Sequence, residues 1–546
     1  MKIGDLIKGF KAREPDKLAL VSVSTNRRFT AKELNQAVNS LSNYLLSIDI
    51  KKSDRIAIIH RNDHQIVISY FGIVKTGAIC VPLNYKLSAN ELEYCLNNCE
   101  PLVLIFDDED YGAIVENIKD NCPSIKYYID NNTFEKIIEE YPSEEPKYDK
   151  ENNRIRIRKN DTAFILYTGG TTGFPKGVML SHNNLISTMY AVATKMLQDT
   201  EVGDIETKSG FFESFSEKTG VFCTDMPIFH AGATYGLFVS LYGNFTFVTH
   251  KKFDPIVMFE TIEKERVSLL QAVPTMLIQL MENFNKAKNY DLSSLNTILY
   301  GAAPIHSKTL KKAMKMFEDA GYNIDWEQTF GATETAVPVT TLSPEDHRKI
   351  ENNQLDELAS SAGKPIDGLE LKILDEKGNE LPTGEVGEIW VKGDGIMQGY
   401  WRNEEKTKKV LKDGWYNMGD MGYVNEEGYV FVMDRSKDMI VSGGENIFSK
   451  EVENAIIKHP GVKICAVIGI PDEKWGEAIC AIIVPEKEFE EKIDEQEIIN
   501  HCKDYIASYK KPKKVVFRKT VPVSPQGKIL KKKLREEFWK DKERRV

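Results

Sequence analysis

The chain is poor in the features that would mark a disulfide scaffold, a zinc module or a membrane protein. Its 546 residues hold 8 cysteines, scattered at Cys80, Cys95, Cys99, Cys122, Cys223, Cys465, Cys480 and Cys502 with no CxxC pair, so neither a cystine framework nor a zinc site is indicated. A reducing cytoplasm is the expected setting. The start, Met1-Lys2-Ile3-Gly4-Asp5, lacks the apolar core of a secretory signal, and secretion is not expected. One stretch, Met226 to His250, lacks Asp, Glu, Lys and Arg over a length that could span a bilayer. Pro227 opens it, however, and glycine, serine, threonine and asparagine interrupt it, so a buried helix followed by a strand is expected instead.

What is present is a globular composition, 41% hydrophobic and 28% charged, which excludes disordered and collagen-like classes. The length predicts a large domain plus something smaller. The formal charge is −10, but it is unevenly spread. Residues 501–546 carry 16 Lys/Arg against 5 Asp/Glu, a local +11, which leaves −21 on the first 500 residues. A basic end of this kind suits an anionic ligand. No RNP, helix-turn-helix or zinc-finger pattern accompanies it, so nucleic acid is not the expected partner.

Along the first third, helical and strand patterns alternate. Leu34, Val38, Leu41 and Leu45 share one helical face, and Arg55–Ile59 is a short apolar run of strand type. Similar runs at Leu102–Phe106, Thr162–Tyr167, Val267–Val273 and Thr297–Tyr300 predict an α/β fold of helix-covered open sheets. From about residue 360 short strands with glycine turns predict a small β subdomain reaching residue 434. Helix, strand and strand at Lys450–Lys458, Ile464–Ile470 and Ala478–Val484 predict a compact α+β unit after it. The expected division is therefore 1–434 and 435–546, with the boundary near Lys437. The polar, acidic stretch 199–218 reads as a surface excursion.

The strongest chemical signal is Tyr167-Thr-Gly-Gly-Thr-Thr-Gly-Phe-Pro-Lys-Gly177. Gly169, Gly170 and Gly173 let backbone N–H groups curl toward an anion, Thr168, Thr171 and Thr172 add hydroxyl donors, and Lys176 adds a cation. The loop suits phosphates, yet it is neither a Walker A loop nor GxGxxG. It is expected to join a strand to a helix-like segment.

This loop resembles the phosphate loop of the adenylate-forming superfamily, which includes acyl-CoA synthetases. The usual loop has Ser where Gly170 stands, and losing one hydroxyl should weaken one phosphate contact without removing the backbone cradle. The rest of the chain resembles the family in order. Gly301-Ala302-Ala303-Pro304 and Phe330-Gly331-Ala332-Thr333-Glu334-Thr335 are similar to the segments that hold AMP. The resemblance implies that Phe330 flanks adenine, that Thr333 contacts the α-phosphate, and that Glu334, with Thr171, holds Mg²⁺. Tyr416-Asn-Met-Gly-Asp420 resembles the family's YxTGD with Met418 in place of Thr, implying Asp420 and then Arg435 as ribose contacts and Lys437 as the hinge.

Val523-Ser-Pro-Gln-Gly-Lys-Ile-Leu530 resembles the motif that inserts a lysine into the active site, which makes Lys528 the expected adenylation catalyst. Met226-Pro-Ile-Phe-His230 resembles the segment whose histidine separates phosphate and acyl pockets, and the small residues Ala231, Gly232, Ala233 and Gly236 are read as acyl space, a pattern that close helix packing explains equally. Ser442-Gly443-Gly444-Glu-Asn446 resembles the lining of the pantetheine tunnel, with Trp475, Tyr509, Lys511 and Lys513 at positions that meet the CoA nucleotide.

The resemblance implies an ATP- and Mg²⁺-dependent carboxylic acid:CoA ligase, acting on a fatty acid of medium or long chain, with an aromatic acid as the alternative substrate. An adenylation enzyme that loads a carrier protein, and an inert binding protein on the same fold, are the rival functions. Oligomeric state is left open, a homodimer included, and peripheral membrane contact is compatible with the chain.

Overall fold

The structure, a computed structural model, describes residues 1–540 apart from 147–155, 169–174, 199–219, 304, 353, 444, 491 and 525–528; the side chains of 193–198 and 356 are likewise outside the description. Within those residues the chain is an α/β protein with a large N-terminal and a smaller C-terminal domain. No described helix is long and apolar enough to cross a membrane.

The large domain is built on two open, mostly parallel sheets. One has the strand order 364–365, 340–342, 325–330, 297–301, 269–272, 221–224, 246–249, 18–22, 27–30, and the other 399–400, 176–181, 162–168, 79–82, 55–59, 103–106, 127–129. Parallel strands need covering helices on both faces, and the helices between them supply that cover. The helix Ala31–Ser47 shows how: Thr30 and Glu33 close a capping box at its start, and Leu34, Val38, Leu41 and Leu45 are fully buried, each contributing about 2 kcal/mol of apolar burial. The charge-free stretch becomes the buried helix Ala231–Tyr242 and the strand Thr246–Thr249.

A five-stranded antiparallel sheet spans Leu369–Leu374, Gly387–Gly393, Leu411–Lys412, Trp415–Val424 and Val430–Arg435. Immediately after Arg435 the chain enters another sheet, formed by Ile440–Ser442, Glu445–Ile447, Val462–Asp472, Gly476–Pro485 and Lys514–Phe517. Its core is separate, with Ile440, Val452, Ile456, Val467, Ile479 and Ile483 buried together.

Two expectations meet a different local structure. The glycine-rich loop does not lead into a helix: the strand Lys176–Ser181 follows it, antiparallel to Thr162–Thr168, with Thr168 opposite Lys176. Gly177, Val178, Met179 and Leu180 ladder against that neighbour, and the helix begins only at His182. The segment that follows the loop is thus a strand paired with the one before it, and residues 169–174 themselves lie outside the described residues. The 199–218 excursion lies outside the described residues.

Candidate functional site

The C-terminal edges of the large-domain strands, the β subdomain and one edge of the small domain enclose a cavity of about 650 Å³. This is where ligands sit in open α/β sheets. Thr168 and Lys176, register partners at the mouth of the hairpin, both line it; Gly169, Gly170, Thr171, Thr172 and Gly173 lie outside the described residues. The Lys176 ammonium sits 5.1 Å from the Tyr400 ring centroid, and burial lowers its pKa. Thr333 and Glu334 form a short 3₁₀ turn on the opposite wall. The Tyr400 hydroxyl donates to Glu334 Oε1 at 2.9 Å, which orients the carboxylate. Tyr400 carries no motif of its own in the sequence, and only the pairing of Gly399–Tyr400 with Val178 and Met179 brings it here.

A divalent cation fits this arrangement in one respect: Glu334 is a half-buried carboxylate on the cavity wall, with one oxygen held by Tyr400. Hard cations of this kind accept a single carboxylate plus substrate phosphate oxygens.

The ribose candidates are held by strand geometry. Along Trp415–Val424 every second residue points inward, so Tyr416, Met418 and Asp420 share the buried face. Asp420 is the register partner of Arg435, and Arg435 Nε meets Asp420 Oδ1 at 2.7 Å. The carboxylate's charge raises the Arg435 pKa, against the opposing effect of burial. Gly419, at φ +68°, lies where the pairing of this strand with Gly387–Gly393 shifts register, and its N–H is taken by Asn417 Oδ1.

Around a contiguous second lobe of about 280 Å³ stand Ala302, Ala303, Phe330, Gly331, Asp420 and Arg435. Gly301 and Ala332 border the larger one; a Cβ on Gly301 would stand 2.5 Å from the Thr329 carbonyl, which makes glycine obligatory there. Backbone strain gathers at this end. Ala302, Ala336 and Val337 all have left-handed φ, of 65°, 51° and 43°, and for β-branched Val337 that is costly.

His230 lines the large cavity beside Phe229, ring centroids 4.3 Å apart. Burial lowers its pKa to about 3, so the imidazole is neutral, and Nε2 has no hydrogen-bond partner among the described residues. Asn62 clamps the preceding loop: it donates to the Met226 carbonyl and accepts from Ile228 N–H, each at 2.8 Å. Ala231 and Gly232 follow along the cavity wall. Gly236 does not provide the open acyl space expected of it. Gln271 crosses from the strand Leu269–Ala272 and its Oε1 lies 2.5 Å from where a Gly236 Cβ would be, so that space is already filled.

Lys528 and Gly444 lie outside the described residues. Ser524, Ile529, Leu530, Lys531, Lys532, Arg535 and the hinge candidate Lys437 all line the large cavity. Behind them Lys531 binds Glu453 at 2.8 Å, Asp434 accepts the Ser449 N–H and hydroxyl at 2.6 Å, and Arg535 pairs with Asp438 at 2.7 Å.

The CoA candidates are not brought to this cavity. Gly443 (φ +64°) packs against Trp475, whose ring would sit 2.6 Å from an added Cβ, so an aromatic side chain, not a tunnel, occupies that space in this conformation. Lys513 stands 4.7 Å from the same ring, Trp475 is 40% exposed and Tyr509 50%, and Lys511 is half-buried nearby in sequence.

The cavity lies where the large and the smaller domain meet and is lined by hydroxyl, cationic and carboxylate groups, a set suited to a phosphate-bearing ligand. The chain belongs to the AMP-binding enzyme family, matching it over residues 8–401 and the AMP-binding enzyme C-terminal domain over 451–528. It is 33% identical over 510 residues to a feruloyl-CoA synthase of Amycolatopsis sp, covering 93% of this chain and 94% of that one. To the long-chain-fatty-acid–CoA ligase FadD13 of Mycobacterium tuberculosis it is 30% identical over 543 residues, 98% of each. Among solved structures, the anthranilate CoA ligase AuaEII in complex with anthranoyl-AMP superposes with a TM-score of 0.84 at 25% identity, over 98% of this chain and 97% of the other. The protein is thus an acid–thiol ligase of the acyl- and aryl-CoA ligase kind.

Proposed function

We propose that the protein activates a carboxylic acid with ATP, releasing pyrophosphate, and passes the acyl group from the resulting acyl-adenylate to the thiol of CoA, releasing AMP. The observation that carries this is the shared wall of the cavity: Thr168, Lys176, Thr333, Glu334 and Arg435 from the large domain face Ile529, Leu530 and Lys531 of the small one. The attack of a carboxylate on the α-phosphorus builds negative charge between two anions, so cations held around the bridging oxygens stabilise that transition state. Lys176 is in reach from the hairpin, and Lys528 is the cation the 524–530 segment would add. Thr333 donates to the α-phosphate, and Asp420 with Arg435 orients the ribose. Glu334 and Thr171 would hold Mg²⁺, which neutralises phosphate charge. His230, neutral, separates phosphates from the acid without contributing charge.

For the second half-reaction the small domain turns about Lys437, withdrawing the 524–535 edge and presenting Gly443, Gly444, Trp475, Tyr509, Lys511 and Lys513 to CoA. Gly443, Trp475 and Lys513 cluster outside the residues that line the cavity, which supports this reading, and the lysines and aromatic rings favour free CoA over a carrier protein. The 8 cysteines are free and buried, which suits a reducing cytoplasm.

A compact acid, aromatic or of medium chain, fits better than a long chain. Past Tyr235, Gln271 and Leu299 the described residues leave a void of only about 20 Å³, room for little more than one water-sized group. The test is pyrophosphate release across a panel of acids with Mg²⁺-ATP, followed by thioester formation with purified CoA. Lys528→Ala should lose adenylate formation while still converting supplied acyl-AMP to thioester; equal loss of both steps would overturn its role.

A further inference from the structure

Among the described residues, the charged side chains around the 280 Å³ lobe are partnered with one exception. Asp420 meets Arg435, Glu453 meets Lys531, Asp438 meets Arg535, and Lys463 crosses to Glu282 of the large domain at 2.6 Å. Asp434 accepts from the Ser449 N–H and hydroxyl. Lys450, on the small domain, lines the same lobe with neither an ion pair nor a hydrogen bond to any described residue. Its ammonium is not among the sealed atoms without a partner, so it opens onto free space.

That space is the lobe. Lys450 also borders an outer groove shared with Tyr423, Phe431 and Tyr505, but the local charges set its side. Burial lowers its pKa, and the charges that act on it most are Glu453, Asp434, Lys531 and Asp420, all of which line the lobe. Glu451 and Lys458 of the groove are not among them. Across the lobe, burial and then the Lys450 charge lower the pKa of His306 in the large domain.

The position is costly. Lys450 sits in the first turn of the helix Ser449–Ile456, where the helix dipole disfavours a cation, and burial adds a desolvation cost. A buried donor with no internal partner beside a cavity calls for one from a ligand. The ribose candidate Asp420 stands on the same lobe. When a carboxylate accepts the protons of ribose hydroxyls, each hydroxyl oxygen keeps lone pairs for a donor. Arg435 Nε is committed to Asp420, whereas the Lys450 ammonium has three donors to give.

We propose that Lys450 is a nucleotide contact carried by the small domain, donating to the ribose hydroxyl oxygens of ATP while Asp420 accepts from them, a reading that rests on this lobe being the nucleotide end of the proposed ligase. Closing the small domain over the lobe and grasping the ribose then become one event.

Calorimetry with Mg²⁺-ATP, 2′-deoxy-ATP and 3′-deoxy-ATP, without acid, compares the wild type with Lys450→Met. The variant should bind ATP about tenfold or more weakly, since it loses a hydrogen bond from a charged donor. With the deoxy nucleotide that lacks the contacted hydroxyl, the same substitution should cost less than about threefold. An ATP loss no greater than the loss with either deoxy nucleotide overturns the contact. Lys450→Met should also raise the unfolding midpoint of the free enzyme, because it removes a desolvated cation from a helix start. A lowered midpoint with equal losses for all three nucleotides marks a structural cation instead. Lys450→Gln, which keeps a neutral donor, should fall between the two and decides the matter where the methionine variant does not fold. Acid-dependent ATP–pyrophosphate exchange with the same KM for ATP in wild type and variant leaves the ligase reading standing and this inference fallen. A ribose-dependent loss of ATP affinity, with no acid supporting exchange, does the reverse.

Discussion

The two ends of the cavity are built on opposite principles. At the nucleotide end the charged groups, Lys450 apart, are matched within the protein: Asp420 with Arg435, Glu334 with Tyr400, and the small-domain edge with its own ion pairs. At the other end Tyr235 Oη and Gln271 Oε1 are buried neutral groups without a hydrogen-bond partner among the described residues. Pairing charges in advance keeps them oriented and removes their desolvation cost from the binding step. Neutral groups buried without a partner keep an unrelieved desolvation cost instead. One end holds charge in fixed pairs, the other stores a penalty in its packing.

Breaking the matched end should produce the largest effect. Asp420→Ala removes the proposed ribose acceptor and the ion-pair partner of Arg435, so kcat/KM for ATP in pyrophosphate exchange should fall by about 10³-fold; a loss below tenfold would mean that the pair is only architectural. Acidification strikes both ends together. Burial lowers the pKa of His230 to about 3 and that of His306, which lines the adenine-side lobe, to about 4. In the unfolded chain each titrates near 6.5, so their stabilisation is complete above that value and drains away as pH falls toward the folded values. Each should cost about 1.4 kcal/mol per pH unit in that window, read from denaturant unfolding at pH 7 and pH 5. A flat stability across this range would show the imidazoles to be charged or exposed.

Tyr400→Phe is a gentler cut, removing one charge-assisted hydrogen bond from Glu334. A loss of about tenfold in kcat/KM is expected, together with a raised Mg²⁺ requirement in a metal titration. The smallest change sharpens the contrast in backbone strain: Val337→Gly relieves a left-handed β-branched residue but gives up its packing against the core and adds unfolded-chain entropy, so thermal unfolding should shift by less than about 1 kcal/mol while turnover falls if the strain orients Thr333 and Glu334.

The matched end was largely legible in the chain because its groups travel in short motifs. The strand alternation Tyr416, Met418, Asp420, the Gly-Ala-Thr-Glu-Thr turn and the Thr/Gly/Lys loop each carry their spacing within about ten residues, and local backbone geometry then aims them. Tyr400 was not legible, since an aromatic residue in Gly399-Tyr400-Trp401 looks like core and gains its role only by pairing across to the hairpin. Glycine spacing alone misread Gly236. A four-residue repeat of small side chains states that something approaches the helix closely, but not whether it is a ligand or a neighbouring glutamine.

The sequence by itself therefore determined the α/β class and the kind of chemistry, because periodicity and short motifs are local properties of the chain. The tertiary structure alone decided where the cavity narrows, to a void of about 20 Å³ beyond Tyr235 and Leu299. Gln271 and Tyr235 lie 36 positions apart, on a strand and a helix whose packing is set by the whole sheet, and whether a buried amide or hydroxyl is matched depends on neighbours that no local pattern records.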